Sequence, residues 1–180
     1  MNEHFDDLEF AAVHDRPIPY MHRIGTYYQT LGYGQPYRWA QYADVPFTPL
    51  TKPLSECQVS LVTTAAPYQP DKGEQGPGAA YNAAAKFYRL YTDSIDGQPD
   101  VRVSHIGIDR KHTTAEDVNT WFPLQQLKRL ADEQRIGGLA SRFVGLPTNR
   151  SQRTTIDQDC AELLAAVREQ GSDVAVIVAN

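Results

Sequence analysis

The strongest constraint on the fold lies in residues 154–178, where a helix-patterned segment runs straight into an unbroken apolar stretch. Cys160, Leu163, Leu164 and Val167 fall at i, i+3, i+4 and i+7, the spacing that gathers side chains onto one buried helix face. Thr154 or Thr155 is placed to cap this helix and Gly171 to end it. Asp173 then leads into Val174-Ala175-Val176-Ile177-Val178. A strand that is apolar at every position, not at alternate ones, is the mark of a parallel strand covered on both faces. Helix followed by such a strand predicts a parallel sheet with right-handed crossovers.

The same alternation runs back to residue 57. Val59, Leu61, Val62 and Thr63 read as a buried strand starting near Gln58. Val101-Arg102-Val103-Ser104-His105-Ile106 alternates and predicts a second strand. Thr113-x-x-Glu116 and Thr114-x-x-Asp117 have the form of capping boxes opening a short helix. Pro123 suits a first helical position, Leu124, Leu127, Leu130 and Ala131 share one face, and Gly137 is a natural C-terminal cap. Ile136 to Val144 predicts another short strand. The expected class is three-layer α/β with a mostly parallel sheet over residues 57–180. A sheet of this kind that stops at Val178 leaves an edge and a helix face uncovered. A homo- or hetero-oligomer is therefore expected.

Residues 1–56 differ in character. All 10 tyrosines lie at or before Tyr91, the stretch from Tyr20 to Phe47 adds Trp39, and prolines follow at Pro36, Pro46, Pro49 and Pro53. No clean helical or strand period runs through it, and proline and glycine break most long elements there. The expectation is an irregular aromatic arm packed on its own domain or on a partner, because large rings do not stay wet.

Composition excludes several function classes. The net charge is −5 with no basic stripe, which disfavours nucleic-acid binding. The longest apolar run, Val174 to Ala179, is far shorter than the roughly 20 residues of a membrane span, and the acidic start MNEHFDDLEF is unlike a signal peptide. Two cysteines, Cys57 and Cys160, make no disulfide framework and fit a reducing cytoplasm. Cys160 on the apolar stripe is expected in the core, and Cys57, just before a strand, at the surface.

Ligands of parallel sheets bind beyond the carboxyl ends of the strands, so the chemistry is sought at three such ends, Thr63-Thr64-Ala65-Ala66, Ser104-His105 through Asp109, and Ala179-Asn180. His105 is either a buried histidine satisfied by one hydrogen bond or an acid/base imidazole whose tautomer Asp109 holds. Residue type alone would allow His105, Asp109 and His112 a metal, but their spacing matches no metal pattern, and no metal or cofactor is expected. Thr63, Thr64 and Ser104 are candidate substrate-binding hydroxyls. Arg102 and Arg142 are candidate carboxylate partners, and Arg142 is preferred because Arg102 alternates away from His105. The loop Gly73-x-x-Gly76-x-Gly78 lacks the ending of a phosphate-binding loop and is expected to be a flexible cover.

The order of motifs resembles the selenoprotein B family of glycine, sarcosine and betaine reductases and its relative, the B-type subunit of D-proline reductase. The matching words are Gly32-Tyr33 with Tyr37-Arg38-Trp39; Pro46-Phe47-Thr48-Pro49-Leu50-x-Lys52-Pro53-Leu54-Ser55; Val59-x-Leu61-Val62-Thr63-Thr64; Arg102-Val103-Ser104-His105 with Asp109; Asp117-x-Asn119 before Phe122-Pro123-Leu124; Ile136-Gly137-Gly138-Leu139-Ala140; and Asp173 to Val178. The resemblance implies a cytoplasmic oxidoreductase system that reductively cleaves a carbon–heteroatom bond with a dithiol donor. It also implies a small carboxylate-bearing substrate and a selenocysteine or cysteine nucleophile just beyond the strand ending at Val178. Neither Cys57 nor Cys160 stands there. The expectation is therefore a reductase component completed by another subunit carrying the reactive Cys or Sec. The alternatives are a non-catalytic scaffold or regulatory subunit and, further off, a racemase-like α/β enzyme, which would need paired cysteines at strand ends.

Overall fold

In a computed structural model of the protein, which describes residues 16–34, 42–103, 111–112, 114–149 and 151–179, the central strand is β1, Gln58–Thr63, buried from Val59 onward. Its apolar content and β-branched residues make it the axis of the sheet. On one side it pairs in parallel with β5, Gly138–Leu139, and then with β6, Arg142–Gly145. These two are successive pieces of one strand interrupted at Ala140-Ser141, where Ala140 N–H still reaches the Val59 carbonyl at 2.9 Å. On the other side β1 pairs in parallel with β7, Val174–Val178, in the register Val59 to Val174 through Thr63 to Val178. β3, Tyr91–Ser94, adds antiparallel to β6. The sheet is thus mostly parallel, as expected.

Two helices cover it. α2, Leu124–Asp132, lies on the path from β1 to β5. The path from β6 to β7 runs through α3, Gln152–Thr154, a π-helical turn at Thr155–Asp159, and α4, Cys160–Glu169. The two crossovers move in opposite directions across the sheet, so right-handed connections place α2 and α4 on opposite faces. On the α2 face, Leu61, Phe143, Leu124 and Leu127 form the core with Trp121 and Phe122.

Several local expectations are corrected. The described start of Val101–Ile106 does not join the main sheet: β4, Val101–Arg102, pairs antiparallel with β2, Ala66–Pro67, in a separate ribbon. The period-2 signal was real, since Val101 and Val103 are both buried, but it did not specify which sheet the segment joins. Residues 104–110 lie outside the described residues. Pro123 is the N-cap of α2, not its first helical residue. The helix is ended by Gln134 at φ 56, not by Gly137. Gly137 is needed for close approach: a Cβ there would meet the Glu56 carbonyl carbon at 2.5 Å. Asp117, not a threonine, caps the short 3₁₀ turn Val118–Thr120, through Asn119 N–H at 3.0 Å. Ser151 caps the last helical stretch ahead of Thr154 and Thr155.

The two cysteines exchange places relative to expectation. Cys57 is buried, with its thiol 3.4 Å from the Pro53 carbonyl, and Cys160 is exposed. The stripe that includes Cys160 is only partly covered: Leu163 and Val167 are half-buried, and Leu164 is 49% exposed. β7 is likewise covered on one face only. Val176 and Val178 pack on the core, while Ala175 and Ile177 are exposed.

The chain divides into two compact units, Met1–Pro46 and Phe47–Asn180. Everything above belongs to the second. In the first, α1, Tyr20–Thr30, is a regular helix inside the expected irregular arm. No proline falls between Pro19, the N-cap of α1, and Pro36, and the Thr26 and Thr30 hydroxyls turn back onto carbonyls four residues earlier. Gly32 at φ 80 stops it. Tyr27, Tyr28 and Tyr33 meet edge to face, both ring pairs at 5.7 Å. Among the described residues no helix is long and apolar enough to cross a membrane.

Candidate functional site

Register places the carboxyl ends of three parallel strands together, with Thr63 beside both Gly145 and Val178. The backbone stays tied just past these ends. Thr64 N–H donates to the Val178 carbonyl at 3.2 Å, and Leu146 N–H donates to the Thr63 carbonyl at 2.8 Å. Thr63 is fully buried. Its hydroxyl donates to the Trp121 carbonyl at 2.9 Å and accepts from Ala65 N–H at 3.1 Å. That hydroxyl organises the edge: it turns the chain after β1 and fixes Trp121 against it. Thr64 is the half-buried hydroxyl at the tip. Tyr91 closes the opposite side, its phenol donating to the Ala65 carbonyl at 2.8 Å. Burial, with the nearby Asp93 charge, pushes that phenol well above its usual range and keeps it a neutral donor.

Beside β4 lies a cavity of about 400 Å³, with Trp121 and Val103 as apolar wall and Gln75, Gln98, Asp100 and Arg102 as polar lining. Trp121 is shared by edge and cavity. Its carbonyl holds Thr63 and its indole N–H donates to the Ala115 carbonyl at 3.1 Å. Ala115 is buried at φ 61, a conformation uncommon for a residue with a Cβ and found where the surroundings impose it.

The glycine loop over the cavity is pinned, contrary to the expected flexible cover. Gln75 is 2% exposed; its amide donates to the Gln69 and Gly73 carbonyls at 2.7 and 3.0 Å and accepts from Gln69 N–H at 3.1 Å. No pattern in the sequence marks a lone glutamine for this part. Arg102 is held by Asp100 through Nε at 2.5 Å and Nη2 at 2.9 Å, and its guanidinium lies 4.5 Å from the Tyr68 ring centre. The hydrogen bond to Asp100 holds its pKa above the ordinary arginine value.

Of the two candidate arginines, Arg102 lines the cavity and Arg142 does not. Arg142 starts β6, three residues or about 10 Å back from the carboxyl edge. There it donates to the Thr92 hydroxyl at 3.0 Å and to the Thr92 carbonyl at 2.6 Å. Ser104, His105 and Asp109 lie outside the described residues; they follow Val103, which reaches the cavity wall. Neither Cys57 nor Cys160 lines the cavity. Among the described residues no group of three His, Cys, Asp or Glu is placed to hold a metal.

Fold and site together define an α/β domain with a ligand-sized hollow beside its β2–β4 ribbon, joined to the end of the central parallel strand through Trp121. In sequence, the chain is similar to D-proline reductase subunit gamma of Acetoanaerobium sticklandii, with 28% identity over 135 residues, 74% of this chain and 53% of the relative. It thus spans about half the length of that curated relative. No family model matches the chain, and no solved structure matches it.

Proposed function

We propose that this chain is a component of a cytoplasmic reductase system related to D-proline reductase, cleaving a carbon–heteroatom bond of a small carboxylate-bearing substrate with electrons from a dithiol. The similarity over 135 residues to a D-proline reductase subunit carries this reading. In the proposed reaction the dithiol becomes a disulfide, and its two electrons and two protons convert the cleaved bond into a C–H and a heteroatom–H. Thr64 and Ser104 orient the substrate, and Thr63 holds the strand end next to Thr64. His105, held by Asp109, supplies or accepts a proton. Neither cysteine stands at the cavity, so the Cys or Sec nucleophile is assigned to a companion subunit. Arg102 takes over the carboxylate contact first assigned to Arg142, because Arg102 is the one at the cavity.

The test is reconstitution with the companion subunit and an assay of dithiol-dependent turnover. His105→Ala should keep its thermal midpoint and lose turnover by about a hundredfold or more. Unchanged turnover would overturn the assignment of His105. The absence of a cysteine at the cavity also favours a second reading, a scaffold or regulatory subunit of the same system. On that reading His105→Ala leaves turnover intact, but removing the chain lowers it.

A further inference from the structure

We infer that Asp100 sets the charge selectivity of the cavity beside β4, admitting a ligand with one carboxylate and turning away a ligand with two. This rests on Arg102 being the carboxylate contact of the proposed function. Arg102 and Asp100 both line the cavity, and the other described lining residues, among them Gln75, Gln98, Val118 and Trp121, are uncharged. One cation and one anion therefore share the wall. A second acid, Glu74, stands close enough for its charge to act on the Arg102 guanidinium. Its carboxylate is fixed by the N–H groups of Gln75 and Gly76, at 3.1 and 2.8 Å. Among the described lining residues no second base balances these acids.

The Arg102–Asp100 pair leaves one edge of the guanidinium for a ligand. Asp100 accepts side-on, from Nε at 2.5 Å and from Nη2 at 2.9 Å. A guanidinium carries its N–H groups in a planar fork. Both N–H of Nη1 and the second of Nη2 therefore remain, and these form the end-on pair that takes a carboxylate through two bonds. Arg102 is also kept from turning. Its guanidinium carbon lies 4.5 Å from the Tyr68 ring centre. Tyr68 N–H in turn donates to the Asp100 carbonyl at 3.0 Å, continuing the ribbon in which Ala66 pairs with Arg102. Asp100 thus acts twice. It holds the guanidinium in place for a first carboxylate, and its own charge repels a second. A like charge set against the wrong ligand is how a site gains specificity without a new attractive contact. The Asp100 side chain is 52% exposed, so replacing it changes charge and not a packed core.

Trp121, in the cavity wall, reports binding by its fluorescence once Trp39→Phe leaves it the sole tryptophan of the full chain. Butyrate and succinate are the probes, because they share a four-carbon chain and differ by one carboxylate. Both are titrated at constant ionic strength and at a pH where succinate carries both charges. Butyrate should bind at least about tenfold more tightly than succinate, and Asp100→Asn should bring the two dissociation constants to within about threefold of each other. Arg102→Gln should abolish binding of both. The ratio compares two ligands on one protein, so any loosening of Arg102 in Asp100→Asn affects both alike. Asp100→Glu, which keeps the charge, should keep the preference. Failure to bind butyrate, or butyrate binding indifferent to Arg102→Gln, would overturn the reading of Arg102 as the carboxylate contact and the role of Asp100 with it. Arg102-dependent butyrate binding with succinate bound equally well, or with the preference intact in Asp100→Asn, would overturn the role of Asp100 alone.

Discussion

The ring of Tyr91 occupies the space that a side chain on Gly145 would need: the two face each other across β3 and β6, and a Cβ on Gly145 would overlap the phenol ring. The glycine lets the ring lie flat over the strand end. The ring then meets Phe87 and Phe143 edge to face, at 5.2 and 5.8 Å, and its hydroxyl reaches across to the Ala65 carbonyl. Gly145→Ala is expected to cost at least about 1–3 kcal/mol, as overpacking of a filled core does. Tyr91→Phe removes only the hydrogen bond and should cost about 1 kcal/mol. Urea midpoints of both variants check this, and equal costs would mean that the ring overlap is relieved cheaply.

Thr63→Val keeps the shape of β1 but strips the edge of its hydroxyl. The Trp121 carbonyl loses its donor and Ala65 N–H its acceptor, both inside the protein. About 1–3 kcal/mol of stability should be lost, the cost of leaving buried polar groups unpaired. A Trp121 that depends on this bond should also change its fluorescence in the native state. A variant with unchanged stability and emission would show that Thr63 does not set the position of Trp121.

The start of β7 carries a pH-dependent tie. Asp173 accepts from Lys52 at 2.8 Å and from Gln58 N–H at 2.8 Å, and these hold its carboxyl below the ordinary 3.8. A carboxyl depressed in the folded state contributes stability that is full above its unfolded pKa and is lost as pH falls through the folded value. Asp173→Asn should therefore be less stable than wild type near neutrality, with the difference closing below about pH 4 as the wild-type carboxyl protonates. Lys52, raised chiefly by the hydrogen bond to Asp173, acts in the other direction and its contribution fades only at strongly alkaline pH. Thermal midpoints measured from pH 7 down to pH 3 test the pair, and a constant difference across that range would count against it.

The sheet was readable because β7 is a continuous apolar run and β1 carries Val59, Leu61 and Val62 in close succession. What the run at Val174–Val178 did not reveal is that only one of its faces is covered, since an apolar residue looks the same in sequence whether a neighbour lies over it or not. The same blindness exchanged the two cysteines. Helical spacing put Cys160 on the stripe, but Leu164 of that stripe is exposed. Cys57 is drawn inside by the Pro53–Glu56 turn and by Gly137 pressing on the backbone at Glu56 and Cys57. At the candidate site, Thr63 and Thr64 followed from the strand-end rule. The cavity wall did not, because Gln75, Arg102 and Trp121 come from three separate segments, a loop, the strand β4 and a 3₁₀ turn, whose meeting depends on tertiary hydrogen bonds.

The exchanged cysteines give a direct chemical prediction. Cys160 is exposed and Cys57 is fully buried, with its thiol turned to the Pro53 carbonyl. A thiol reagent reacts with accessible thiolate. Under native conditions it should therefore modify one equivalent of cysteine quickly, and Cys160→Ser should abolish that phase. The second equivalent should appear only as the protein unfolds in denaturant, with a midpoint matching that of the Trp121 region. Two fast equivalents in the native state would mean that the Pro53–Glu56 turn opens readily and leaves Cys57 in solvent. A fast phase that survives in Cys160→Ser would assign the reactive thiol to Cys57 instead.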